Sequence, residues 1–217
     1  MRENSVRGAR LLAALGLLAT GLLSLGCDPG GVGDPCTPED EYTAEFTGYS
    51  EEQVNVESKS FQCLTRVCLV NQFQGRVSCP YGQTEQMAEK CQDPANCMPG
   101  SADYAASCRV PGQDGSEVSD RISVAVLPQR VDRQADRAVY CSCRCAGPDP
   151  NANYCECPSG FSCRELVDDL GVGRGQLAGS YCVKNGTEYD RIASEGTVCG
   201  APNNGDCGGG GANPPHN

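Results

Sequence analysis

Cysteine is the residue type through which this 217-residue chain could do most of its chemistry, and it has 17 of them. Cys27 stands near the start. Cys36, Cys63, Cys68, Cys79, Cys91, Cys97 and Cys108 follow in a first block. Cys141, Cys143, Cys145, Cys155, Cys157, Cys163, Cys182, Cys199 and Cys207 make a second. Reduced, the clusters Cys141-x-Cys143-x-Cys145 and Cys155-x-Cys157 could hold Zn²⁺ or Cu(I) as thiolates. Oxidised, the same residues are disulfide partners. The total is odd, so one cysteine needs another fate. If Cys27 is that one, sixteen remain for eight bridges. No Cys-x-x-Cys pair occurs, which removes the motif of thioredoxin-like redox exchange.

Other chemistry is thinly supplied. The one histidine is His216, in a Gly/Pro-rich tail, so Ser-His-Asp and Cys-His catalysis and His-ligated metal sites are excluded. Asp168-Asp169 could serve a carboxylate-only hydrolase, but nothing selects that pair over other acidic runs. Asp149-Pro150-Asn151-Ala152-Asn153 opens like a calcium loop, yet Tyr154 and Gly160 stand where the loop needs Gly and Glu. A turn accounts for it as well. Gly171-x-Gly173-x-Gly175 lacks the spacing of a dinucleotide fingerprint. Asn185-Gly186-Thr187 matches a glycosylation sequon, and a tight hairpin turn explains it equally. No cofactor and no metal ligand set emerges.

Residues 27–60 read as an acidic Pro/Gly-rich tether, with Glu39-Asp40-Glu41 following Pro35 and Pro38 and Cys36 tying it back. Residues 61–200 form the disulfide-rich domain, with a division into subdomains 61–108 and 138–200 left open. Cys63 to Val70 and Val77 to Cys79 flank a turn at 71–75, predicting a hairpin. Thr84 is placed to cap a short helix ending at Cys91. Ile122 to Leu127 predicts a strand ended by Pro128. Val139, Cys141, Cys143 and Cys145 alternate as one face of a strand, so each cysteine should reach a different partner, with Cys155, Cys157 and Cys163 nearby. Ser162-Cys163-Arg164-Glu165 fits a capping box, predicting a helix to Leu170 that Gly171 stops. Tyr181 to Ile192 predicts a hairpin turning at Asn185-Gly186. Cys199 and Cys207 could close a small loop. Residues 201–217 read as a disordered Gly/Pro tail.

The first 26 residues read as a secretory leader. Arg2, Arg7 and Arg10 precede the apolar run Leu11 to Leu23, which is short for a membrane span. Beyond them, 28 residues are Leu, Ile, Val or Phe, about 15% of the remainder. Without the leader's three arginines and one glutamate the net charge is −13. Such a chain can bury little apolar surface against conformational entropy. Each disulfide typically adds about 2–4 kcal/mol, against about 5–15 kcal/mol for a whole domain. Cross-links should therefore decide folding, in an oxidising compartment outside the cytoplasm. The expected fold class is small, disulfide-rich, mainly β and irregular, with one or two short helices. The acidity argues against nucleic acid as a partner.

Three resemblances bear on function. Leu23-Ser24-Leu25-Gly26-Cys27 resembles the lipobox of bacterial lipoproteins, with Ser24 where that family prefers Leu. This implies cleavage before Cys27, lipidation of its thiol with diacylglycerol and palmitate, and membrane attachment through that anchor. Asp28, directly after it, matches the inner-membrane retention signal of enteric bacteria. Cys155-Glu156-Cys157-Pro158-Ser159-Gly160-Phe161 is similar to the late part of an EGF-like module, but Cys163 follows too soon, so the likeness reflects convergent disulfide chemistry. The block Tyr140 to Lys184, with C-x-C-x-C, Y-C-x-C-P-x-G-F-x-C and G-S-Y-C-V-K, resembles the uncharacterised cysteine-rich lipoproteins of some Gram-negative soil bacteria. That resemblance implies a cell-envelope or surface location and carries no activity. The functional expectation is a non-enzymatic binding or structural module, with an envelope protein or a glycan as ligand. The alternatives are a carboxylate-only hydrolase of wall glycan and a metal-thiolate protein.

Overall fold

The computed structural model describes residues 30–169, 177–189, 197–200 and 207. The leader, Cys27, Gly171 to Gly175, most of the 201–217 tail and His216 lie outside the described residues.

Two three-stranded antiparallel sheets form the centre. The first joins β1 (Val54–Glu57), β2 (Val67–Asn71) and β3 (Val139–Ser142) in the order β1-β2-β3. Successive side chains of a strand point to opposite faces, and β2 is covered on both. Cys68 and Val70 pair with Cys141 and Val139 and pack with Cys36, Cys63, Tyr49 and Phe73. Leu69 turns the other way and meets Tyr140 and Tyr181. The second sheet has the order β4-β6-β5, from β4 (Arg144–Ala146), β5 (Phe161–Val167) and β6 (Gly179–Lys184). Tyr140 couples the sheets. Its ring lies edge-on to Phe161 at 5.7 Å, and its hydroxyl accepts the Lys184 N–H at 3.0 Å. A third apolar cluster holds Cys79, Cys108, Val110, Ile122 and Val126. Three short helices complete the fold: α1 (Glu85–Cys91), α2 (Ala102–Ala106) and α3 (Ala135–Ala138), the last packed on the first sheet's cluster through Ala135 and Ala138. The Thr84 hydroxyl accepts the Met87 N–H at 3.2 Å, the cap expected for α1. The fold class is the expected one: disulfide-rich, mainly β and irregular.

Several local expectations are corrected. Residues 30–60 are folded and not a tether: β1 is a sheet edge, and Glu41 is fully buried. This segment packs through polar groups where it lacks apolar ones. The Arg76 guanidinium donates to the carbonyls of Glu41, Thr43 and Phe46. The Glu41 carboxylate accepts the N–H groups of Val77 at 2.5 Å and Ser78 at 2.8 Å. The 63–79 hairpin does not form, because β2 takes its partners from 54–57 and 139–142. Residues 122–127 make only one isolated bridge, Val126 with Gln83, and Arg121 just before them bridges Arg109. The run 139–145 breaks at Cys143 into β3 and β4, which belong to different sheets. Ser162 to Val167 is strand, not helix. Cys163 pairs across to Cys182 in register, and a bulge after Glu165 lets adjacent Leu166 and Val167 both reach the Tyr140 cluster. The apolar spacing that mimicked a helix face is a strand with a bulge. Beyond the Asn185-Gly186 turn, Thr187 to Tyr189 is not strand, since β6 already pairs with β5.

Candidate functional site

The sixteen cysteines from Cys36 onward are all bonded. The pairs are Cys36–Cys68, Cys63–Cys141, Cys79–Cys108 and Cys91–Cys97 in the first part. Cys143–Cys155, Cys145–Cys163, Cys157–Cys182 and Cys199–Cys207 complete the set. Cys141, Cys143 and Cys145 do reach three different partners, and Cys155 and Cys163 are two of them. Sulfurs crowd in three places, Cys36 with Cys63 and Cys141, Cys143 with Cys155 and Cys182, and Cys145 with Cys157 and Cys163. Each crowd is made of neighbouring disulfides, whose sulfurs lack the thiolate charge a soft metal needs. Eight bridges mark an oxidising, exported environment. No helix among the described residues is long and apolar enough to cross a membrane.

The other sequence candidates stay structural. Asp149 accepts the Asn151 N–H at 2.9 Å, and its carbonyl accepts the Tyr154 hydroxyl at 2.7 Å, which makes the 149–154 segment a self-bonded turn. Asp168 and Asp169 are exposed just past β5.

One concavity among the described residues was not signalled by any motif. It is an open groove of about 970 Å³ between the 47–50 turn, the Tyr81 to Thr84 segment and the 125–128 run. Two glycines let its walls draw together, Gly82 in the lining and Gly75 behind it. Gly75 and Gly82 have φ of +85° and +64°, and a Cβ on either would sit 2.3 Å from a carbonyl oxygen of Leu127 or Val126. Only a residue without a side chain lets these backbones approach so closely. Gln74 and Gln83 fix the same wall. Gln74 donates to the Pro128 carbonyl at 2.7 Å, and Gln83 donates to the carbonyls of Ile122 and Val124 while accepting the Cys108 N–H.

What the groove offers a ligand is neutral. Charged residues make up 21% of the chain, yet none lines this surface. Half-buried Tyr81 and Met87 and exposed Leu127 give apolar area, while Gln53, Ser50 and Thr84 give amide and hydroxyl groups. Tyr49 turns its hydroxyl away to Asp40 at 3.2 Å, and burial, helped by Asp40, pushes its pKa far above the usual phenol value. Cys199 is bonded to Cys207. The lining therefore supplies no carboxylate pair for glycoside cleavage, no thiol nucleophile and no imidazole. It can stack, exclude water and exchange hydrogen bonds. Compared with known proteins, the chain matches no family model, no curated protein and no solved structure.

Proposed function

We propose that this chain is a lipid-anchored cell-envelope protein, acylated at Cys27 after leader removal, whose domain binds a neutral glycan without transforming it. The uncharged groove is the observation that carries the reading. Ligand sites are concave, mostly apolar surfaces of about 300–1,000 Å³ with a few placed polar groups, and this one fits in size and composition. A sugar ring presents an apolar face to Tyr81 and hydroxyls to Gln53, Ser50 and Thr84. Phosphate or carboxylate ligands would find no cation there. A strongly acidic protein that keeps one surface free of charge leaves that surface open to neutral partners.

Saturation-transfer NMR of the disulfide-intact domain with neutral oligosaccharides from the envelope tests this. Transfer should be seen, and Tyr81→Ala should weaken binding by about tenfold, the worth of one lost aromatic contact of about 1.4 kcal/mol. Transfer only with uncharged peptides would replace the glycan by an envelope protein segment. Clearing in a wall-glycan zymogram would replace binding by hydrolysis. Intact mass of the membrane-extracted chain tests the anchor.

A further inference from the structure

The point where the chain enters the domain is clamped to an exposed apolar loop. The Gly30 N–H donates to the Gln62 carbonyl at 2.7 Å, and the Gly30 carbonyl accepts the Leu64 N–H at 2.9 Å. Together they make a parallel bridge between Gly30 and Cys63. Cys63 is itself bonded to buried Cys141, so the clamp is fastened to strand β3. On this loop Phe61 is 82% exposed and Leu64 is 64% exposed. The Arg66 guanidinium lies over the Phe61 ring at 4.4 Å, and the loop closes where Ser60 donates to the Arg66 carbonyl. Lys59 is exposed beside it.

Two residues, Asp28 and Pro29, lie between Cys27 and Gly30, which makes three Cα–Cα steps. Consecutive Cα atoms are 3.8 Å apart, so that stretch spans at most about 11 Å. The polar zone on each side of the hydrocarbon core is only about 5–8 Å thick. A lipidated Cys27 therefore holds the 60–66 loop against the bilayer, with no length left for a free tether.

We propose that residues 59–66 are a membrane-contact surface. Phe61 and Leu64 enter the interface of the bilayer that holds Cys27, and Lys59 and Arg66 meet its phosphates. The inference rests on the lipid-anchor reading above. Aromatic and aliphatic side chains gain by leaving water at that depth, and cationic heads suit the phosphate level. Without its leader the chain carries net charge −13, so its other faces are repelled by anionic lipid. Glu39 and Glu57 share the depression behind Phe61 with Lys59 and Arg66. The two cations and the apolar pair thus favour this face among repelling ones.

The chain has no tryptophan, so one can be placed as a reporter. Phe61→Trp and, for comparison, Met98→Trp are made in the full chain, extracted from membranes and reconstituted in phosphatidylethanolamine/phosphatidylglycerol vesicles with brominated acyl chains. Met98 is also exposed, at 61%. Non-reducing intact mass first establishes acylation and the eight bridges in each variant. The expected result is acylated protein whose Phe61→Trp emission is blue-shifted and quenched by roughly half, with Met98→Trp unchanged, as for a side chain at interface depth. Acylated protein with Phe61→Trp unquenched, or with both reporters quenched alike, overturns the contact surface and leaves the anchor standing. Unacylated protein overturns the anchor, and the contact surface with it.

Discussion

Glu41 shows how this chain uses ionisable side chains in place of apolar ones. Its carboxyl is buried beside Arg76, and burial pushes its pKa above the usual carboxylate value despite the N–H donors of Ser78 and Val77 and the charge of Arg76. The native state then binds this proton more tightly than the unfolded chain does. Stability from this linkage is fully present below the ordinary carboxylate pKa and is lost as pH rises through the higher native value. Urea midpoints of wild type and Glu41→Gln, compared between about pH 4 and about pH 7, should show a falling trend for wild type that is absent in the variant. Identical slopes would mean that the carboxyl titrates normally. Arg133 works in the same style, donating to the carbonyls of Asn71 at 2.5 Å, Gln72 at 2.7 Å and Thr187 at 2.8 Å. Buried guanidiniums that satisfy loop carbonyls are invisible to hydrophobic patterning, because the pattern codes arginine as surface.

At the scale of elements, glycines at positive φ decide where segments meet. Gly82→Ala would combine left-handed strain with a Cβ 2.3 Å from the Val126 oxygen and 2.6 Å from the Pro128 nitrogen. Gly186, at φ +75°, has nothing within 4 Å of such a Cβ. Thermal denaturation should show Gly186→Ala losing about 1 kcal/mol, from strain alone, and Gly82→Ala losing at least twice that and its groove ligand as well. Equal losses would show that the wall can retreat. Legibility in the sequence divides along the same line. The α1 cap was readable because Thr84, Met87, Ala88 and Cys91 lie within one local stretch. Strand β5 was misread as helix because its partner, β6, and the bulge that brings Leu166 beside Val167 are set by distant residues. Strand β1 was missed because Val54-Asn55-Val56-Glu57 is too short to announce itself and acquires its register only from β2. The groove has no motif at all, being enclosed by three loops whose approach depends on Gly75, Gly82 and Gln83.

For the molecule as a whole, the sulfur count could be read in advance and the pairing could not. An odd number of cysteines and a poor supply of large apolar residues pointed to cross-links as the principal support. The structure adds that the bridges hold different layers together: Cys63–Cys141 joins the first block to the middle strands, while Cys145–Cys163 and Cys157–Cys182 lace the second sheet. Replacing Cys63 and Cys141 together by alanine should cost about 2–5 kcal/mol in a denaturant titration, the usual loss for a native bridge. A loss as small as that of a surface substitution would show that the sheet register alone holds β3.

The order of the bonds along the chain has a consequence for biogenesis. A polypeptide threading out of the cytoplasm presents Cys36, then Cys63, then Cys68, and an oxidant joining each newcomer to its predecessor would make bonds that the folded protein lacks. Only Cys91–Cys97 and Cys199–Cys207 connect consecutive cysteines, and Cys36–Cys68 interleaves with Cys63–Cys141. Bonds made in order of emergence reach the finished arrangement only by thiol exchange once residue 141 has arrived. Secretion in a host stripped of its disulfide isomerase should therefore yield scrambled species of correct mass and wrong peptide map, while a host stripped only of other envelope chaperones should not. In this protein an exchange enzyme would act as an author of the topology, choosing among pairings that the order of emergence gets wrong.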